Sequence, residues 1–309
     1  MDIIGIIMSA GKASVNVALY TLIPIMVVML IIMKYLEVRG ILDRIVHLMT
    51  PVLKPFGITG MGIFALIQLN FVSFAAPLAS LAIMEKRGVS DRHLAATLAM
   101  LFAMGQGNVF YPLIPFGLHW GAALGISVVG GLAAAAVTWY FFGRKLSFAS
   151  LHRDESSHED KSSTGLISII NGAGSDAIRL SLGSVPMLIL SLTVVGILQA
   201  MGAIELLTRL LTPVLDFFHV SGVFILPALT KCLAGGTAYF GVASDLLHQG
   251  SMTAQQVNAS VGFMVQTLDL PGLGIYLGIA SRFVRLFRFA LPGALLGILL
   301  RTILHCVMF

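Results

Sequence analysis

The sequence predicts an all-α integral membrane protein made of two inverted-topology repeats, each with an interfacial helix, a re-entrant helical hairpin and a broken transmembrane helix. Three observations lead there: an extreme apolar composition, helix breakers recurring at one constant spacing, and a reversal of loop charge between the copies. Of the 309 residues, 57% are hydrophobic and only 11% charged, with a mean hydropathy of +0.95. A soluble domain carries about 25% charged residues. Apolar runs at 17–33, 119–142 and 185–200 approach or exceed the roughly 20 residues that cross a ~30 Å bilayer core. The sequence lacks the ten-residue alternation of a membrane barrel, which leaves a helical bundle.

The repeat is read from Thr50-Pro51-Val52-Leu53, which recurs as Thr212-Pro213-Val214-Leu215, an offset of 212 − 50 = 162. At that offset Pro24 meets Pro186, Gly40 meets Gly202, Gly60 meets Gly222, Gly88 meets Gly250, and Asp43 meets Glu205. The chain thus divides into a first repeat, 1–142, and a second, 166–309. Between them 143–165 is rich in Ser and in both charge signs, the composition of a flexible linker. Loop 85–92 carries Lys86, Arg87 and Arg92, while its counterpart 247–254 has no Lys or Arg. Conversely, 112–118 has none, while 281–288 holds Arg282, Arg285 and Arg288. Basic loops face the cytoplasm, so corresponding loops face opposite sides, as in inverted-repeat transporters.

The elements follow in order. A first span covers 17–36, kinked at Pro24. Over 38–54, apolar Ile41, Leu42, Ile45, Leu48 and Met49 share one helical face, against Arg39, Asp43, Arg44 and His47. That pattern places the helix in the membrane interface, and 203–217 repeats it. A straight helix over 58–85 would be roughly 42 Å long, too long for the core, and its middle is polar with Pro77 beyond; a re-entrant hairpin accounts for both. Its counterpart is 220–247, with a tip near 231–237. Spans at 92–111 and 254–280 are interrupted by Gly105-Gln106-Gly107-Asn108 and by Gln266, Asp269, Pro271, Gly272 and Gly274. The closing spans are 119–142 and 288–307, and Gly117, Gly121 and Gly125 form two overlapping GxxxG spacings expected at a close helix contact.

The net charge of +5 reads as membrane topology rather than nucleic-acid affinity. Cys232 and Cys306 have no redox or metal spacing, and the eight histidines form no HxxH or HxxxH pair, so no metal site is expected. The N-terminal stretch lacks a basic n-region and an Ala-x-Ala site, so it reads as retained protein. The charge rule puts both termini outside and the linker inside.

Four helix breaks near the midplane free backbone groups that must line a cavity or be buried in protein, and such breaks commonly bind ions or polar solutes. The candidate substrate-binding residues are Gln68, Asn70, Ser73, Gln106 and Asn108 from the first repeat. Thr230, Lys231, Cys232, Thr237, Gln266 and Asp269 come from the second. These are mostly uncharged hydrogen-bonding groups, suited to a polar organic molecule. They suit neither nucleophilic nor metal chemistry, so no catalytic residue, enzyme activity or cofactor is expected. Amides at helix breaks can equally serve neighbouring backbone, and Cys232 has the size of a packing residue. Lys231 has three readings: snorkelling to an interface, pairing with Asp269, or anchoring an anionic group.

These features resemble the Gate (nucleoside-recognition) family: the interfacial helix, Thr-Pro-Val-Leu, Gly60, the polar hairpin ending in Pro77, and the duplicate from Gly202 through Gly250. Relatives include concentrative nucleoside transporters, the membrane part of ferrous-iron transporter B, and spore maturation proteins A and B. The resemblance covers about 20–140 and 180–300 and implies a multi-pass protein of the bacterial inner membrane. It implies a secondary transporter of a nucleoside or related, even anionic, metabolite, coupled to H⁺ or Na⁺. Its partners would be the solute and the bilayer, with homo-oligomerisation open. No GxxxxGK[ST] is present and the Gly-Cys-x-x-Pro style of hairpin is missing, which argues against iron transport. The competing class is a membrane scaffold or receptor subunit that keeps the transporter fold without transporting.

Overall fold

Glycines and prolines set the element boundaries. The computed structural model describes residues 2–148, 165–203, 206, 209–210 and 221–309. Most of the linker and the second interfacial segment, 203–217, with Glu205 and the second Thr-Pro-Val-Leu, lie outside them. Helix α1 (Ile3–Asn16) continues through a π-helical stretch, Val17–Leu22, into α2 (Ile23–Val38). The widened turn sits directly before Pro24, whose missing N–H and bulky ring break the regular ladder. The continuous helix begins well before the expected 17–36 span. Its counterpart α9 (Leu166–Ala200) is 35 residues long with Pro186 inside, so each is about 50 Å long. They pack antiparallel: Gly196 lies against Ile6, whereas Gly172 and Asp176 meet Lys34.

Gly40 turns the chain with φ +67 into α3 (Ile41–Leu53), and Gly202 has φ +70 at the corresponding point. Gly88 and Gly250 form a second such pair, at +65 and +70. The repeat spacing is therefore a spacing of left-handed turns, which glycine adopts without steric cost. Ile41, Ile45, Leu48 and Val52 of α3 are exposed, and the chain bends by 104° into α4 (Gly60–Phe71). A break at 72–76 leads to α5 (Pro77–Lys86). Ser80 donates to Gln68 Oε1 at 2.8 Å; along a straight helix residues so far apart in sequence would be about 18 Å apart. The two arms therefore fold back on one another as a hairpin.

The interrupted spans are α6 (Asp91–Ala103) with α7 (Gly107–Leu113), and α11 (Ala254–Met264) with α12 (Leu270–Leu277). Helix α8 (Trp120–Val137) ends in a second π-helical stretch, Thr138–Phe142. Helix α10 (Ile225–His248) breaks at one residue, Gly235, with φ +83 and ψ 179. It departs from the five-residue break, 72–76, of the first hairpin. Helix α13 (Ser281–Met308) takes Arg282, Arg285 and Arg288 into its first turns rather than leaving them in a loop. Among the described residues four helices, beginning at Ile3, Trp120, Gly222 and Ser281, are long and apolar enough to cross a membrane. The protein is accordingly a multi-pass membrane protein.

The interior is built from α6, α8, α11 and α13 packed together. Every residue from Leu94 to Ala103 on α6 is buried, and its alanines admit neighbours on all sides. The close contact between α8 and α13 uses Gly130 and Gly297 rather than the expected GxxxG face. Gly121 and Gly125 face open space, and Gly117 is the φ +91 turn before α8.

Helix α8 separates two ends of the molecule. At one, Arg282 Nε donates to Asp91 Oδ1 (2.7 Å) and Nη2 to Val89 O (2.6 Å), while the Arg92 guanidinium donates to Trp139 O. At the other, Asn258 accepts from His119 N (2.8 Å) and donates to Gly117 O (2.9 Å). Loop 85–92 thus joins the end holding Arg282, and the start of α11 joins the end holding Gly117.

A methyl placed on Gly297 falls 2.5 Å from Gly130 O and 2.8 Å from Ala134 Cβ. Gly297→Ala should therefore cost about 1–3 kcal/mol by overpacking, lowering the melting temperature in detergent. Gly121→Ala and Gly125→Ala should leave it unchanged or raise it, since alanine is the better helix former.

Candidate functional site: a junction of four helix breaks

A helix end leaves its last four carbonyls without intrahelical partners, and inside a bilayer no water serves them. Those of α6 are all accounted for. Met100 O accepts from Met104 N (3.1 Å), Leu101 O from Thr267 Oγ1 (2.6 Å), Phe102 O from Thr267 N (3.3 Å), and Ala103 O from Arg301 Nη1 (2.5 Å). Gly105 and Gln266 then form an isolated antiparallel bridge, and Gln106 Nε2 donates to Gln266 O at 3.0 Å. The two broken helices thus satisfy each other across the centre of the protein.

The other two breaks meet this pair. A Cβ on Gly107 would lie 2.6 Å from Asn70 O, so the first hairpin's α4 ends directly against the start of α7. Asn70 donates to Leu66 O (2.9 Å) and accepts from Ser127 Oγ (2.9 Å), and Ser127 in turn accepts from Gly105 N (2.8 Å). Within the 72–76 break, Phe74 O accepts from Tyr276 OH at 2.7 Å. From the second repeat, Gly236 lies against Gln106 and Val109 at 2.8–3.1 Å from where a Cβ would be. Asn108 Nδ2 donates to Thr237 Oγ1 at 3.2 Å. Gly235, held at positive φ, faces Asp269.

Asp269 caps α12: its Oδ1 accepts from Gly272 N at 2.7 Å. Its Oδ2 takes the ammonium of Lys231, and both residues are buried. Of the sequence readings, Lys231 therefore pairs with Asp269 and does not snorkel. A buried ion pair is costly to assemble, so its position at the junction marks a requirement beyond packing.

The predicted residues divide clearly. Asn70, Gln106, Asn108, Lys231, Thr237, Gln266 and Asp269 converge, and buried Ser73 lies in the adjoining break. Gln68 is half-buried and ties the arms of its hairpin. Thr230 spends its hydroxyl on Leu226 O of its own helix (2.9 Å). Cys232 is exposed rather than turned into the cluster. Ser73 Oγ, Gln106 Oε1, Asn108 Oδ1 and Gln266 Oε1 are buried without a partner, which is rare for buried polar atoms. These four belong to the set chosen from sequence; Thr97 Oγ1, Thr138 Oγ1, Arg301 Nε and His305 Nε2 are likewise buried without a partner and lie outside it.

Sequence reasoning missed Ser127, Thr267 and above all Arg301 and His305, both buried on α13. The signal was present, since an arginine and a histidine interrupt an otherwise apolar run. Arg301 Nη2 reaches Val261 O (3.4 Å) near the end of α11, so one guanidinium serves the C-terminal carbonyls of both broken helices. A cation is favoured at that end of a helix dipole. His305 Nδ1 bonds Asn258 O at 2.8 Å.

A cavity of about 1200 Å³ runs along the C-terminal half of α10 and the end of α7, bounded on its other side by α1 and α9. Phe240 and Pro112 line it near the junction, and Lys12, Asn16, Gln199, Asp245 and His248 give it polar walls. Among the described residues no group of three His, Cys, Asp or Glu is arranged to hold a metal ion.

Arg301→Met should destabilise the protein by about 1.5–3 kcal/mol per lost charged hydrogen bond, with Arg301→Lys intermediate. Thermal unfolding in detergent measures both.

Residues 19–116 match the Gate family, described as nucleoside recognition. No curated protein matches the sequence. Among solved structures, a CNTnw variant in its intermediate 2 state aligns at 14% identity, covering 93% of this chain and 76% of that one, with a TM-score of 0.67. CNTnw in an inward-facing substrate-bound state aligns at 15% over 93% and 73%, also at 0.67. An outward-facing CNTnw variant aligns at 15% over 92% and 74%, again at 0.67. Residues 19–116 are thus similar to the Gate family, and the chain as a whole shares the fold of the CNTnw structures.

Proposed function

We propose that this chain is a secondary transporter that moves a small polar organic solute, a nucleoside or a related and even anionic metabolite, by alternating access across the bacterial inner membrane. The observation that carries this is the set of buried, unpartnered side-chain oxygens at Ser73, Gln106, Asn108 and Gln266, inside a junction where the C-terminal carbonyls of α6 already have partners. Three are amide oxygens, which accept only. They suit a solute presenting several N–H or O–H donors, as the base and ribose of a nucleoside do. A scaffold has no use for them.

The antiparallel long helices and the loop contacts at the two ends of α8 support two inverted repeats, 1–142 and 166–309, joined by the 143–165 linker. The grouping of Arg282 with the basic loop 85–92 supports that end as cytoplasmic. CNTnw is known in outward-facing, intermediate and inward-facing substrate-bound states, and a similar fold here supports the same kind of cycle. The cavity beside α10 is the access route this reading requires, with H⁺ or Na⁺ as the coupling ion.

Purified protein in liposomes should take up radiolabelled nucleosides or carboxylates down an imposed ion gradient, and the same ligands should raise its melting temperature. Gln106→Ala and Asn108→Ala should each raise the apparent KM about tenfold, the loss of roughly 1.4 kcal/mol of binding. Lys231→Ala and Asp269→Asn should abolish uptake while leaving folded protein. Normal uptake by both would remove the ion pair from the mechanism, and no stabilisation by any ligand class would favour the scaffold.

A further inference from the structure

We infer that Lys231 is the junction's own tethered cation, occupying the carboxylate of Asp269 so that no external sodium ion is needed there. The inference rests on the transporter reading for its meaning, but the geometry stands without it. Among the described residues Asp269 is the sole buried carboxylate, and Lys231 and Arg301 are the buried Lys and Arg side chains. Arg301 donates through Nη1 and Nη2 to the C-terminal carbonyls of α6 and α11 and, with its Nε unpartnered, makes no contact with a carboxylate. That leaves Lys231 and Asp269 to match each other, as they do.

Discontinuous membrane helices commonly gather a coupling cation on unwound carbonyls and helix ends. Asp269 has that setting: it lies in the 265–269 break, at the end of one half-helix and the start of the next. Capping α12 needs only an oxygen, which Ser, Thr or Asn supplies without charge. An aspartate adds a full negative charge, and in the membrane interior that charge demands a cation. Lys231 provides it from a different element, one turn before the Gly235 break, and so bridges two discontinuities as a bound ion would. The repeat offset sharpens the point. The positions 162 residues earlier are Leu69 and Gly107, so the first repeat has no counterpart of the pair. The corresponding break in the first repeat therefore forms without such a charge pair.

The test is the effect of sodium on the melting temperature of the purified full-length protein in detergent, with choline substituted at constant ionic strength. The wild type should gain no more from sodium than the double variant Lys231→Ala/Asp269→Asn does, as expected when Asp269 binds no sodium. Lys231→Ala should melt several degrees lower in choline and recover in sodium, because the carboxylate now needs an outside cation. The double variant Lys231→Ala/Asp269→Asn should recover in choline itself and lose the sodium effect. Sodium stabilisation of the wild type beyond that of the double variant overturns the inference. So does a Lys231→Ala variant that folds yet ignores sodium. If Lys231→Ala fails to fold, the wild-type comparison and the double variant still decide. Failure of uptake in liposomes alone would sink the transporter reading without touching this result.

Discussion

Breaking a helix inside a bilayer exposes backbone groups that neither lipid nor water will satisfy, and the organisation of this protein follows from that constraint. The C-terminal carbonyls of α6 are the clearest case. Beyond the amide of Met104 they are served by the amide and hydroxyl of Thr267 in the 265–269 break and by Arg301 of α13. None of those partners is useful unless α11, α12 and α13 stand in one place. Satisfying one break therefore fixes the position of another, and the glycines at 107, 235 and 236 let the chains approach closely enough to do it. A polar site in an apolar protein emerges as the by-product of this mutual satisfaction.

How much of this was legible from sequence depends on whether the signal was a breaker or a contact. Glycines and prolines impose backbone geometry locally, so the repeat offset located real turns: Gly40 with Gly202 and Gly88 with Gly250 share left-handed φ. The first hairpin and both interrupted spans were legible for the same reason. Contacts were not. GxxxG at 117–125 has the spacing of a packing face, but spacing does not say what stands opposite, and the close crossing fell at Gly130 and Gly297 instead. Cys232 shared a stretch with Lys231, yet successive helical residues point in different directions, and it is exposed. Arg301 shows the reverse: its type alone was a signal, hidden because the run around it reads as an ordinary span.

The pair Lys231–Asp269 shows where composition rules run out. Sequence supplied two opposite charges in apolar surroundings and three readings for the lysine; geometry reduces them to one contact. What makes that contact informative is its asymmetry. Both repeats solve the backbone problem, the first with the neutral chain Asn70–Ser127–Gly105 and the second with an ion pair. Symmetry of frame with asymmetry of charge is what the proposed carrier would need if two gates are to move alike while one site recognises a particular solute.

The contacts across the junction also differ in how readily they part. A neutral hydrogen bond contributes about 1 kcal/mol net, whereas separating buried charged partners costs several. Gln106 to Gln266 and Asn108 to Thr237 are neutral. The ion pair binds α10 to the start of α12, and Arg301 binds α13 to α6. A moving boundary therefore falls most cheaply across the neutral links, with α10 and the 265–269 break travelling together. In a background with Cys232 and Cys306 replaced by Ser, Asn108→Cys with Thr237→Cys places two thiols where the weaker of these links now sits. Oxidation should stop uptake and reductant restore it, while the oxidised protein melts no lower than the reduced one. Undiminished uptake by the fully crosslinked form would show that Asn108 and Thr237 move as one body and that the boundary lies elsewhere.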